Sequence, residues 1–364
     1  MKKVIRVLFI ALVSIIGILL IGFLFLGIKS PCKLDPLKDE NGKLIESAYV
    51  EKKRIEIGGI QQGFFIRSEN LENPVILFLH GGPGSPELPL LLPYESSERL
   101  EKYFTVCHWD QRGAGMSFNQ SIDPTTMTVE QMVEDTRQIT EYLQNRFKQK
   151  KIYLMGHSWG TYLGIKTIEK YPENYLAYIG IGQVSNQLES ERLAYDYMLQ
   201  HATEINDKKA IEGLQKYDKN TADFPNFDYM SIRSLLMNKY GIGIMHEHLS
   251  MMSIAQNLLL FKGYTLSEKI NYGRGSLFSL RHVFFRYVTH DNMFESSTTF
   301  HVPVYITHGK YDYQVSYALA REYFDKIEAP EKAFFTFENS AHSPNAEEPE
   351  KFVQTVREIA SKTQ

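Results

Sequence analysis

Cysteine is nearly absent from this sequence. Only Cys32 and Cys107 occur in 364 residues, so no disulfide framework holds the fold together. Cys107 sits in the run Thr105-Val106-Cys107-His108-Trp109 and reads as a small buried hydrophobe. Cys32 follows Lys29-Ser30-Pro31, which lacks the small residues expected directly before a lipidated cysteine. An excess of charge of one sign is missing too: 40 Lys+Arg stand against 43 Asp+Glu, a net charge of −3. That balance argues against the basic face of a nucleic-acid binder. Repeats and low-complexity tracts are not seen beyond the N-terminal segment. The 13% aromatic content excludes a disordered chain.

One long hydrophobic run is present. Val7 to Ile28 carries no charge and, at about 1.5 Å per helical residue, covers the roughly 30 Å hydrocarbon core of a bilayer. Lys2, Lys3 and Arg6 precede it. A cleaved signal peptide has a shorter apolar core and a small-residue cleavage site, which Gly27-Ile28-Lys29 does not offer. Residues 1–28 are therefore expected to be an uncleaved membrane anchor. The basic N-terminal flank favours an N-terminus on the cytoplasmic side and a catalytic domain outside it, although Lys29, Lys33 and Lys38 on the other flank weaken that bias.

Residues 29–46 are polar, with Pro31, Pro36 and Asn41-Gly42, and read as a linker. Residues 47–184 alternate between strand and helix patterns. Val50–Ile57 and Gly63–Ser68 suggest an antiparallel pair. Pro74–Leu79, Phe104–Trp109, Lys151–Met155 and Tyr178–Ile181 are short apolar runs of the kind buried on both faces of a sheet. Val129–Gln149 has helical spacing. Residues 185–297 carry helical periodicity at Leu193–Ala202, Lys208–Tyr217, Ser231–Lys239 and Ser250–Phe261, and read as a helical cap insertion. Residues 298–364 resume the alternation, with strands at Val302–Thr307 and Lys332–Phe337 and helices near Val315–Ile327 and Pro349–Ser361. Such alternation implies an α/β architecture on a mostly parallel sheet.

The chemistry concentrates at Gly156-His157-Ser158-Trp159-Gly160, between the strand Lys151–Met155 and the helical stretch Thr161–Lys170. A Gly-x-Ser-x-Gly run in that context is a nucleophile elbow. The turn is sharp, and glycines remove side chains that would strike the neighbouring strand and helix. The serine then sits at a helix N-terminus, where backbone N–H groups favour negative charge. His80-Gly81-Gly82-Pro83-Gly84 follows the strand Pro74–Leu79, where one oxyanion donor is expected. Gly82 is favoured over Gly81, with the N–H of Trp159 as the second donor. The acid and base should follow in the order Asp, His. Asp312 lies after the strand Val302–Thr307, and His342 in the loop after Lys332–Phe337. Imidazole can take and return a proton near neutrality, and Asp312 would orient it. His80 and His157 read as structural. His246 and His248 stand two apart with no third ligand in view, so neither a metal site nor a cofactor is expected.

These residues resemble the proline iminopeptidase family of α/β-hydrolases. The resemblance rests on His80–Gly84, on Asp110-Gln111-Arg112-Gly113-Ala114-Gly115 with Ser117 beyond, and on the Gly-x-Ser-Trp-Gly elbow. It implies an α/β-hydrolase fold and release of an N-terminal residue, often proline, from a short peptide or small amide. It further implies cap carboxylates that hold the substrate's free amine. No motif places these; Glu189 and Glu191 are candidates, and Gly81 is a candidate substrate contact. Tyr195 and Tyr197 either line the pocket or pack the cap. The Asp110 turn is expected to be structural, with Arg112 tied to carboxylates or carbonyls. An esterase or lipase acting on small acyl esters is the alternative, favoured by a cationic pocket or one without a carboxylate. A catalytically silent binding protein is the third reading, disfavoured by the complete Ser–His–Asp set. Chemistry that needs Asp in place of Ser158 is disfavoured.

Overall fold

The computed structural model describes residues 2–94, 96, 98–247 and 251–363. Eight strands form one sheet: β1 (Tyr49–Ile57), β2 (Ile60–Ser68), β3 (Val75–Leu79), β4 (Thr105–Asp110), β5 (Ile152–His157), β6 (Tyr175–Ile181), β7 (Val304–Gly309) and β8 (Lys332–Phe337). Their order is β1-β2-β4-β3-β5-β6-β7-β8. β2 pairs antiparallel with β1 and β4, and the other neighbours are parallel. Every strand expected from the sequence is present.

The sheet is covered on both sides. Alternate residues of β3 divide between two apolar clusters: Leu77 and Leu79 join Trp109, Leu154 and Leu163 on one face, while Ile76 and Phe78 join Met155, Phe352 and Val356 on the other. A period of two along a strand produces this division. Of the helices, α1 (Lys2–Ile28) is the apolar N-terminal segment, and α2 (Val129–Phe147) and α3 (Trp159–Lys170) carry the chain between parallel strands. The stretch between β6 and β7 is helical: α4 (Gln187–Glu204), α5 (Lys208–Leu214), α6 (Phe227–Lys239), α7 (Met251–Leu260) and α8 (Leu266–Ser279), followed by a π-helix at Leu280–Val288 and a short turn at Met293–Ser296. α9 (Tyr317–Lys326) and α10 (Pro349–Thr363) complete the fold. The helical stretch has its own apolar cluster of Ala194, Met198, Leu214, Tyr229 and Leu236. Tyr195 packs in it, with Tyr197 against its edge.

Two parts were not legible beforehand. The first is α8 with its π-helical extension. Gly273 and Gly275 interrupt the helical pattern, and the π segment departs from the 3.6-residue period. Gly275 has a packing reason, since a Cβ there would lie 2.5 Å from the Gly113 carbonyl oxygen. The second is residues 29–46, which are polar in composition yet dock on the domain. Leu34 and Leu37 are buried, and Leu34 packs with Phe65, Phe261 and Tyr264.

Candidate active site

β5 runs straight into α3 through Ser158, whose φ of 55° and ψ of −122° lie outside the regions L residues favour. The flanking glycines make the turn possible. A Cβ on Gly156 would lie 2.3 Å from the Gly160 oxygen, and one on Gly160 would lie 2.0 Å from the Leu79 oxygen of β3. Ser158 N–H is held by the Ile181 carbonyl at 2.9 Å, and its own carbonyl accepts from Thr161 N–H at 2.8 Å. The strained residue is thus fixed on both sides.

Asp312 and His342 meet as the chain order suggests. His342 Nδ1 is 2.7 Å from Asp312 Oδ2. Asp312 Oδ1 accepts Val315 N–H at 2.9 Å, and His308 Nε2 lies 3.1 Å from Oδ2. Burial opposes ionisation of Asp312, but His342 and His308 outweigh it and hold the carboxyl below the usual range. Burial in turn lowers the His342 pKa, with Asp312 opposing. His342 Nε2 is buried without a hydrogen-bond partner among the described residues. His342 and Ser158 line the same cavity. The Ser158 hydroxyl and the imidazole share this cavity without a hydrogen bond between them, a looseness common in unliganded sites. Gly182, with φ of +61°, lets β6 pass the pair: a Cβ there would stand 2.9 Å from His342 Nδ1. The loop carrying His342 is fixed by Glu347, which accepts Ala341 N–H at 2.8 Å and His246 N–H at 2.5 Å.

The glycine loop after β3 divides its N–H groups. Gly81 N–H is committed to Glu87 Oε1 at 2.8 Å. Gly82 N–H meets no acceptor among the described residues. Trp159 opens α3, so its N–H has no acceptor within its own helix. His80 and Gln111 lock the loop. His80 Nδ1 faces the Gly81 oxygen at 2.8 Å and therefore carries the hydrogen, while Nε2 accepts Gln111 N–H at 3.1 Å. Burial lowers the His80 pKa to about 4, which keeps that neutral tautomer. Gln111 also accepts from Trp159 Nε1 at 2.8 Å. The Asp110 turn is bound as a structural element. Asp110 accepts Met116 N–H and the Tyr264 hydroxyl at 2.8 and 2.7 Å, and burial raises its pKa to about 7. Arg112 pairs with Asp135 at 2.7 Å and with the Gly58 carbonyl at 2.7 Å.

Two cavities flank Ser158. The larger, about 300 Å³, contains His342, Glu87 and His157 and is walled by Leu90, Tyr94, Ile244 and Ile254. The smaller, about 90 Å³, lies on the Trp159 side. Leu280, Phe284 and Val288, one turn apart along the π-helix, line it, and Arg233 is its one charged side chain. Neither of the two acidic candidates, Glu189 and Glu191, lines these cavities. Glu189 lines neither cavity and pairs with Arg192 at 3.4 Å. Glu191 is fully buried, and both of its oxygens are taken by Arg233 at 2.8 Å, so it offers nothing to an amine. Gly81 does line the larger cavity. Sequence reasoning missed Glu87, which lies beyond the glycine loop and carries no motif, and Gly182 and His308, whose parts depend on tertiary contact. Among the described residues no group of three His, Cys, Asp or Glu could hold a metal. His246 stacks on Tyr311, and His248 lies outside the described residues.

Residues 74–349 match the family described as having the alpha/beta hydrolase fold. The chain belongs to that family. It is 34% identical to the "Probable aminopeptidase YbaC" of Bacillus subtilis over 310 residues, which cover 84% of this chain and 94% of the relative. It is 25% identical to a "Proline iminopeptidase" of Saccharolobus solfataricus over 315 residues, covering 86% and 93%. Among solved structures, a proline iminopeptidase of Mycobacterium smegmatis superposes with a TM-score of 0.61 at 15% identity, covering 86% of this chain and 98% of that one. An esterase from Exiguobacterium antarcticum superposes with a TM-score of 0.54 at 17% identity, covering 85% and 100%. At such identities the superpositions speak to the fold alone.

Proposed function

We propose that the protein is a serine hydrolase that releases N-terminal residues, proline or small apolar ones, from short peptides or aminoacyl amides. In this reading Ser158 Oγ attacks the scissile carbonyl carbon and its proton passes to His342 Nε2. Asp312 holds the imidazole in the tautomer that leaves Nε2 free to accept, and stabilises the imidazolium. The oxyanion is received by the N–H groups of Gly82 and Trp159; one such preorganised donor is typically worth about 3–4 kcal/mol in the transition state. The tetrahedral adduct collapses to an acyl-enzyme and the leaving amine takes the proton from His342. A water, deprotonated by His342, then hydrolyses the ester and restores the serine.

One observation carries this: His342 is bonded through Nδ1 to Asp312, its Nε2 is buried and unpartnered among the described residues, and the residue lines the same cavity as Ser158. The aminopeptidase and proline iminopeptidase names of the relatives support the substrate class. The helices between β6 and β7 act as a cap, because Ile244, Met245, Ile254 and Tyr272 wall the larger cavity and restrict it to short chains.

A second reading, hydrolysis of small acyl esters, is favoured by Arg233. The base serves the leaving group, so the cavity away from His342 receives the acyl part, and its charged residue is a cation rather than a carboxylate. The chain from residue 29, which keeps the docked Leu34 and Leu37, separates the readings, assayed on proline and alanine amides against acetyl and butyryl esters, with Ser158→Ala as control. Ester turnover without amide turnover would leave only the second reading.

α1 contains a 24-residue span, Ile5–Ile28, of mean hydropathy 3.1, long and apolar enough to cross a membrane. We take it as a retained single-pass anchor that leaves the hydrolase domain outside the cytoplasm. Fusion of residues 1–40 to a reporter active on one side of the membrane tests this; activity on the cytoplasmic side alone would reverse it.

A further inference from the structure

α7 stands between two features, the N-terminal span and the Ser158 cavity. Met251–Leu260 contains no charged residue. Met252, Ala255, Gln256, Leu259 and Leu260 are all exposed and recur at the spacing of one helical face. Met252 is 76% exposed and Leu259 42%. The inward positions Ile254 and Asn257 line the cavity together with Ser158 and His342. One face of a single ten-residue helix is thus uncharged, apolar but for Gln256, and uncovered, and the other is a wall of the site.

The end of α7 is bound to the chain that leaves α1. Lys33 N–H donates to the Lys262 carbonyl at 3.1 Å. Lys269 Nζ reaches the Leu259 carbonyl at 2.6 Å and Ser30 Oγ at 2.8 Å. Leu34 packs with Phe261, and Leu258 packs against that cluster. Ile28 closes the apolar span. The five residues after it reach at most about 17 Å when fully extended, and the polar zone of a bilayer is itself roughly 5–7 Å deep on each side. If α1 spans a membrane, α7 must stand at that membrane's surface.

We propose that α7 lies in the surface of the bilayer that holds α1, with Met252 and Leu259 among the lipids, and that the Ser158 cavity takes its substrate from that bilayer, a compound whose leaving part carries an apolar tail. This rests on the reading of α1 as a retained anchor and of Ser158 as the nucleophile. An apolar helical face gains free energy when it is withdrawn from water, and the anchor holds the face where lipid can cover it at little entropic cost. The larger cavity, which His342 lines and which therefore receives the leaving part, has an apolar wall with Leu90, Leu91, Ile244 and Met245 that suits such a tail.

The test uses the full chain in phosphatidylcholine nanodiscs, in a Cys32→Ser background. Cys107 is buried. An environment-sensitive fluorophore is placed in turn at Phe25→Cys, Met252→Cys, Leu259→Cys and Glu322→Cys, and quenched by a nitroxide-bearing lipid. Glu322 lies on α9, towards the other edge of the sheet. Quenching at positions 25, 252 and 259 and not at 322 is expected. Quenching at 25 with none at 252 or 259 overturns the proposal and leaves the anchor intact. Absence of quenching at 25 overturns the anchor reading and the proposal with it. Protection of 252 that grows with protein concentration and ignores the lipid quencher means a second copy covers the helix, and also overturns it. In the same discs, Met252→Asp with Leu259→Asp should slow a substrate with a long-chain leaving group several-fold and leave a short water-soluble one unchanged. Equal loss on both refutes membrane delivery, and the Ser158→Ala chain reports separately on the nucleophile.

Discussion

Glu87 Oε1 lies 2.5 Å from His157 Nδ1. The same oxygen accepts Gly81 N–H at 2.8 Å, and His157 Nε2 meets the His342 carbonyl oxygen at 2.7 Å. A carbonyl oxygen only accepts, so Nε2 carries a hydrogen. One buried pair therefore joins the glycine loop, the elbow and the loop of the proposed base. Burial works against both charges, but the mutual attraction prevails: it raises the His157 pKa and lowers that of Glu87.

Glu87→Ala should accordingly lower kcat with little change in KM. The loss should approach the roughly 100-fold seen when an oxyanion donor is removed, because Gly82 N–H and the His342 loop lose their support together. Glu87→Gln keeps an acceptor for Gly81 N–H and should recover part of the rate. Steady-state kinetics on both variants, with circular dichroism to verify folding, checks this. A rise in KM for aminoacyl substrates alone would instead mark Glu87 as a contact for the substrate amine.

The pair also sets a pH signature. The contribution of His157, whose folded pKa is raised, is fully present below its ordinary value and lost as pH rises through the folded one. The contribution of Glu87, whose folded pKa is depressed, is present above its ordinary value and lost as pH falls through the folded one. The difference in Tm between the wild type and Glu87→Gln should therefore be largest between about pH 5 and 6.5 and shrink on both sides. A difference independent of pH would mean the two groups are not charged together.

For catalysis the relevant shift is that of His342. Burial lowers its pKa, so it stays neutral, and able to accept the serine proton, to lower pH than an ordinary imidazole. The acid limb of kcat/KM should fall below the ordinary histidine value of about 6.5. A limb above that value would contradict the assignment of His342 as base.

The elbow predicts its own stability effect. A Cβ on Gly160 would stand 2.0 Å from a backbone oxygen of β3, which no side-chain motion relieves. Gly160→Ala should destabilise the domain by about 3 kcal/mol or more, read as a drop in the urea midpoint. Gly59→Ala is the contrast, with no atom within 4 Å of the added carbon and a φ of +78°; its cost should be backbone strain alone, about 1 kcal/mol.

These cases show which features the sequence carries. The strands are legible because runs such as Val75–Leu79 are fully buried and leave no other reading for a short apolar segment. The meeting of Asp312 and His342 is legible because each follows a strand, after Ser158, in the order expected of the fold. Glu87 is not, since its partners lie 6 and 70 residues away along the chain with no pattern linking them. Glu191 is misleading for the same reason. Its place just after the end of β6 makes it a candidate amine contact, and only the fold reveals that Arg233 on α6 is paired with it. The π-helix at Leu280–Val288 escapes any search for a period of 3.6.

Covalent labelling tests the central assignment most directly. The full chain is treated with a fluorophosphonate, digested and read by mass spectrometry, alongside His342→Ala. The expected result is one adduct per chain on the peptide that contains Ser158, formed far more slowly in the variant. An adduct on another residue, or equal labelling of Ser158 without His342, contradicts the assignment.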